Sequence, residues 1–151
     1  MTDSKQSEDP MTVHATAVAL AGAGLLIRGK SGAGKSDLAL RLIDRGATLI
    51  SDDQVVIRRE DQKLLLEPPA RLAGKLEVRS LGICEYDHVS GVGLKLVIDL
   101  QDQVERYPMD RQIVILLGME FPCCTLDAME ASAAIKAELA MRRIMQGAKI
   151  S

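Results

Sequence analysis

The sequence predicts an α/β domain with a mixed sheet in front, an antiparallel β portion behind it and a C-terminal helix that closes the fold. Three observations carry this expectation. An apolar run ending in Leu25-Leu26-Ile27 leads directly into a glycine-rich loop and then into a helical pattern. From Gln54 to Leu117 the chain turns to short β-rich runs. Near the end, Ala128, Ala131, Ile135 and Leu139 recur at helical spacing.

A length of 151 residues fits one domain with one real core. The aromatic share is only 2%, so that core must be built from Ala, Val, Ile, Leu and Met, and it argues against base recognition by ring stacking. A net charge of -2 gives no electrostatic footprint for nucleic acid. Cys84, Cys123 and Cys124 form neither an even disulfide framework nor paired metal-ligand spacing, and read as inert thiols in a reducing cytoplasm. No apolar run reaches the roughly 18 residues of a membrane span. The polar start, residues 1–11, reads as a disordered lead without the apolar core of a signal peptide, and 12–151 as a single domain without repeats or linker.

Taken in order, Val13 to Ile27 reads as two buried strands joined by a tight turn at Ala21-Gly22-Ala23-Gly24. After the glycine-rich loop, Lys35 to Arg45 forms a helix with Leu38, Leu42 and Ile43 on one face and Gly46 at its C-terminal cap. Thr48 to Ile50 is a short buried strand landing on Ser51-Asp52-Asp53. Gln54–Arg59 and Lys63–Glu67 form a hairpin closed by Pro68-Pro69. Leu76–Val78, Leu94–Leu100 and Ile113–Leu117 are further strands, the second with Leu94, Leu96, Ile98 and Leu100 on one face. The last helix spans about Asp127 to Gln146, with Asp127 and Glu130 at cap-like spacing.

The loop Gly29-Lys30-Ser31-Gly32-Ala33-Gly34-Lys35-Ser36 satisfies G-x-x-x-x-G-K-[ST], the P-loop pattern. Gly32 and Gly34 allow positive φ, so successive N–H groups converge on phosphate oxygens. The helix that follows adds its unpaired N–H donors and the positive end of its dipole. Lys35 supplies a point charge for the β- and γ-phosphates, and the Ser36 hydroxyl suits the shell of Mg²⁺. The expected ligand is Mg-ATP. Asp52, only 16 residues beyond Ser36, and its neighbour Asp53 offer two carboxylates after an apolar strand. One suits the metal and the other suits accepting a proton from an attacking hydroxyl; as solvated turn residues they would do neither.

Gly29 to Gly46, running into Leu49-Ile50-Ser51-Asp52-Asp53, resembles the HPr serine kinase/phosphorylase family. Leu76-Glu77-Val78-Arg79-Ser80-Leu81-Gly82-Ile83 is similar to that family's second signature, L-E-[IV]-R-G-x-G-I. The resemblance covers roughly residues 12–146, the family's C-terminal kinase domain, in a short single-domain form. It implies a P-loop kinase fold and an ATP- and Mg²⁺-dependent protein serine kinase acting on HPr or an HPr-like phosphocarrier of a bacterial phosphotransferase system. By the same resemblance Asp52 takes the proton of the target serine, Asp53 is its neighbour at the metal and phosphate site, and Glu77 is a magnesium-associated carboxylate. Arg79 lies in the catalytic signature, His14 is at the position of an active-site histidine, and Arg106 is at that of a catalytic arginine. His88 has no counterpart and reads as a surface loop residue.

Two departures are mild: Ser80 stands for the signature glycine, and Asp37 for the glutamate after the P-loop serine. A third is larger. Where the family carries a basic, glycine-containing loop tied to removing phosphate from phospho-HPr, this chain has Phe121-Pro122-Cys123-Cys124-Thr125-Leu126-Asp127, without Arg or Gly. A loop without cations cannot cradle phosphate in the usual way, which favours kinase over phosphorylase. That loop and the last helix also help build the family's hexamer, so the change bears on the homo-oligomer too. The alternative from another class is a regulatory module that senses ATP and docks on a partner without transferring phosphate.

Overall fold

The computed structural model describes residues 9–102 and 112–147. Its centre is β3 (Ala23–Arg28), in which Leu25, Leu26 and Ile27 are all fully buried because both faces of the strand are covered. On one side β3 pairs antiparallel with β2 (Thr16–Leu20), and β4 (Thr48–Ser51) pairs antiparallel with β2. On the other side it runs parallel to the long β9 (Val92–Leu100). The turn between β2 and β3 needs only Ala21 and Gly22, both at positive φ (50° and 84°). Gly24, expected in that turn, belongs to β3 instead. It is glycine because a Cβ there would lie 2.6 Å from the Gly93 carbonyl oxygen.

The sheet forks at β9. Val92 and Gly93 pair antiparallel with β6 (Lys63–Glu67), which continues into β5 (Val55–Glu60) and then the short β1 (Met11–Val13). Val97 to Leu100 pair in parallel with β11 (Met119–Leu126), itself in a hairpin with β10 (Gln112–Leu116). A bulge separates the two halves of β9: Leu94 faces Gly24 and Leu96 faces Leu25, leaving Lys95 extra. The bulge also corrects the expected single face. Leu96, Ile98 and Leu100 pack under the helices, whereas Leu94 packs on the opposite side of the sheet with Val97.

Two helices cover one face. In α1 (Lys35–Asp44), Leu38, Ala39 and Leu42 point into the core, and Gly46, at φ 113°, donates to the Ile43 carbonyl to end the helix. The second helix, α2 (Ala133–Met145), starts later than expected. Residues 121–126, expected as a loop, are strand β11, and its pairing with β9 occupies the chain as far as Leu126. Pro122 faces Ile113 of β10 and lies just before the β9 ladder begins at Cys123, so its missing N–H removes no bond to β9. Asp127 caps no helix; its Oδ1 accepts from the Met129 N–H at 2.9 Å. The buried stripe of α2 is Ala133, Ala134, Ala137 and Met141, while Ile135 and Leu139 stay 44% and 45% exposed. Leu96, Ile98 and Leu100 already fill the space below, and the small alanine face meets them. On the other face the sheet curls, so that Ala17, Ala19 and Leu26 share a core with Val55, Ile57, Leu64 and Leu66. A separate hairpin, β7 (Lys75–Val78) and β8 (Gly82–Glu85), is anchored to the helix-side core by the fully buried Leu76.

Candidate functional site

The loop Gly29–Ser36 joins the end of β3 to the start of α1. Gly32 and Gly34 both take positive φ, 84° and 100°, and the Ala33 N–H donates to the Lys30 carbonyl at 3.0 Å. Lys35 is buried and folds back over the loop, its Nζ donating to the carbonyls of Gly29 (2.7 Å) and Lys30 (3.1 Å). A buried ammonium held, among the described residues, by carbonyl oxygens alone has no counter-charge at the loop there, which suits an anion.

Next to it lies Asp52, 5% exposed at the end of β4. Its Oδ1 accepts from the Ser36 hydroxyl at 2.7 Å and from the Thr16 hydroxyl at 2.8 Å. Its Oδ2 accepts from the Glu77 backbone N–H at 3.0 Å. Three elements of the fold, β2, α1 and β7, therefore fix one carboxylate. Asp53 is turned the other way by a positive φ of 72°, and its Oδ1 lies 3.0 Å from His14 Nε2, both side chains being more than half exposed. The two adjacent carboxylates are thus divided between an inner site and an outer one.

Glu77 reaches the site through its backbone. Its side chain and that of Arg79 are exposed and make no hydrogen bond or ion pair among the described residues. Arg106 lies outside the described residues. Ser36, Asp53 and Glu77 are not gathered into a cage: among the described residues no three His, Cys, Asp or Glu side chains converge on a metal position. A metal here would take the Ser36 hydroxyl and fill its remaining positions with ligand oxygens and water, which is how Mg²⁺ is commonly held. His88 is exposed, bridging β4 at Leu49.

Sequence reasoning missed Thr16, although a hydroxyl inside Ala15-Thr16-Ala17-Val18 had to find a buried partner. It also missed Asp99, the one acid in Leu96-Val97-Ile98-Asp99-Leu100. Arg28, the residue before the loop, grips Asp99 with two hydrogen bonds of 2.7 and 2.9 Å, and the Cys123 thiol donates to the same carboxylate at 3.3 Å. Arg41 was missed as well. From α1 it pairs with Asp37 and donates to the carbonyls of Ala128 and Glu130, seating the turn before α2 against the glycine-rich loop. Of the thiols, burial first and the Asp99 charge second push Cys123 up to about 12 and Cys124 to about 11. No helix among the described residues is long and apolar enough to cross a membrane.

Comparison with known proteins gives a consistent answer. The family model for the HPr serine kinase C-terminal domain matches residues 5–148. The HPr kinase/phosphorylase of Geobacillus thermodenitrificans (strain NG80-2) is 38% identical over 127 residues, covering 76% of this chain and 41% of that protein. The HPr kinase/phosphorylase of Chlorobium limicola is 33% identical over 129 residues, 75% of this chain and 38% of its own. The chain therefore spans about two fifths of the length of these curated relatives. The solved structure of the HPr(Ser) kinase/phosphatase from Coxiella burnetii superposes with a TM-score of 0.80 at 26% identity, covering 91% of this chain and 97% of that one. The chain belongs to the HPr serine kinase C-terminal domain family.

Proposed function

We propose that this chain is an ATP- and Mg²⁺-dependent protein serine kinase of the cytoplasm, acting on HPr or an HPr-like phosphocarrier of a bacterial phosphotransferase system. The observation that carries this reading is the buried Asp52 carboxylate 2.7 Å from the Ser36 hydroxyl, at the foot of the lysine-closed loop. Loop N–H groups and the start of α1 bind the nucleotide phosphates, and Lys35 exchanges its two carbonyl partners for phosphate oxygens. Ser36, with Asp53 and Glu77, would hold magnesium, which would supply neutralisation of the phosphate charge. If the Ser36 hydroxyl served a metal instead of Asp52, an Oδ1 lone pair would be left for the substrate hydroxyl. Asp52 then accepts the proton of the attacking seryl hydroxyl, and Arg79 or Arg106 offsets charge on the transferred group. His14 holds Asp53 in place.

Transfer from ATP to protein is favoured over removal of phosphate from a phosphoprotein. The turn between β11 and α2 carries Asp127 and Glu130 and no cation. Among the described residues the cations that reach it are already engaged: Arg41 with backbone carbonyls and Asp37, and Lys136 with Glu130 at 2.7 Å.

The test is Asp52→Asn. Mg-ATP affinity should stay close to that of the wild type while phosphotransfer to a phosphocarrier falls by about 10²–10⁴-fold, the usual weight of a general base. Wild-type rates from the variant would reject the assignment. Tight Mg-ATP binding by the wild type with no labelling of any carrier would favour the regulatory module instead.

A further inference from the structure

The fork in the sheet opens a second recess, at the opposite end of β3 from the glycine-rich loop. It has a volume of about 400 Å³, and its lining includes Gly22, in the turn that leads into β3. Its origin is topological. On one edge β9 pairs with β6 at Val92 and Gly93 and with β11 from Val97 onward. Leu94, Lys95 and Leu96 face no strand there, and the bulge at Lys95 sits in the gap.

Three features give this recess a chemistry. Its rim holds Lys63 and Lys95; among the described residues its lining contains neither Asp nor Glu, and neither lysine makes an ion pair. Glu60, which faces Lys63 across the hairpin, lies 3.8 Å from Arg58 instead. The floor is apolar, built on the buried Leu64, Leu94 and Phe121. Finally, Gly93 is a glycine without a local reason. Its φ is not positive, and a Cβ on it would meet nothing within 4 Å. A bare glycine near the start of β9, with open space where its Cβ would be, leaves room for a ligand at that point.

We infer that this fork binds a small organic anion, its acidic head meeting Lys63 and Lys95 and its apolar body resting on Leu64, Leu94 and Phe121. The site is independent of the phosphate loop and of what that loop does.

The experiment is amide NMR of the full chain titrated with three probes: phenyl phosphate, phenylacetate and the neutral benzyl alcohol. At least one anion should saturate, shifting the amides of Gly22, Gly91, Gly93 and Lys95, while benzyl alcohol should not. A phosphate preference and a carboxylate preference are told apart by which anion saturates first. Lys63→Gln/Lys95→Gln should weaken that binding by about tenfold or more, the scale of a lost charge-assisted contact. Gly93→Val, which adds bulk to the lining at a position whose Cβ would meet nothing within 4 Å, should weaken it strongly while the rest of the spectrum keeps its dispersion. No saturable shift from either anion, equal binding of benzyl alcohol, or unchanged affinity in the double variant would each overturn the site. If Gly93→Val perturbs the whole spectrum, the exposed lysine variants alone decide.

Discussion

Thr16 Oγ1 and Asp52 Oδ1 are 2.8 Å apart, and both residues are buried. Thr16 is fully enclosed, so its hydroxyl has been withdrawn from water for this contact. Of the three donors on Asp52, the Ser36 hydroxyl is the one that a metal would take away. Thr16 and the Glu77 N–H are the two that remain to hold the carboxylate.

Thr16 is therefore a positioning residue, and two substitutions separate that role from packing. Thr16→Val keeps the shape and removes the donor, whereas Thr16→Ser keeps the donor and removes a methyl from the core. The valine variant should lower kcat about tenfold or more with KM for ATP little changed. The serine variant should keep kcat and lose about 1 kcal/mol of stability. If kcat follows melting temperature across the pair, the role is packing alone.

Gly32 and Gly34 share a left-handed backbone but not a neighbourhood. A Cβ on Gly32 would meet open space, while one on Gly34 would come within 2.9 Å of the Ala128 Cβ. Gly32→Ala should cost about 1–2 kcal/mol for the backbone alone. Gly34→Ala should cost more, because it also drives the turn before α2 off the loop. Thermal melts in the order wild type, Gly32→Ala, Gly34→Ala are expected; the reverse order of the variants would refute the seating of Ala128 on the loop.

The part of the molecule that was readable in sequence is the part fixed by local chemistry. The apolar strand, the glycines and the amphipathic turns of α1 are adjacent in the chain, and the structure reproduces them within a residue or two. Asp52 was reachable by the same logic, since it follows a buried strand at short spacing. What was not readable depends on remote partners. β11 is a strand because Val97 to Leu100 lie beside it, and nothing within 121–127 announces that neighbour. The buried face of α2 is chosen by the bulk of Leu96, Ile98 and Leu100 below it, so alanines went in and Ile135 and Leu139 stayed out.

The thiols should sort by environment. With Cys123 pushed up to about 12 and Cys124 to about 11, thiolate at mild alkaline pH is scarce, about one part in 10³–10⁴ at pH 8. Cys84, on β8, has only a weak 3.9 Å contact to the Gly82 carbonyl. Mass spectrometry after brief iodoacetamide treatment should find Cys84 modified first, with the other two following only on unfolding. Early modification of Cys123 would contradict the thiol contact to Asp99.

Arg28 and Asp99 fasten the end of β3 to β9 immediately before the phosphate loop. Burial pushes the Asp99 carboxyl up, but the hydrogen bonds from Arg28 and Cys123 and the Arg28 charge outweigh it and hold the group below its ordinary 3.8. The partner's side agrees in direction: the Asp99 hydrogen bond, opposed by burial, raises Arg28. A carboxyl lowered by folding binds fewer protons in the native chain than in the unfolded one. Its contribution to stability is therefore whole above the ordinary value and is lost as pH falls through the lowered one. Asp99→Asn should lower the melting temperature by a constant amount from roughly pH 5 to 7, and the gap should close below about pH 4 as the wild type loses the same charge. A gap that stays constant into strong acid would show that the carboxylate's charge is not what ties these strands together.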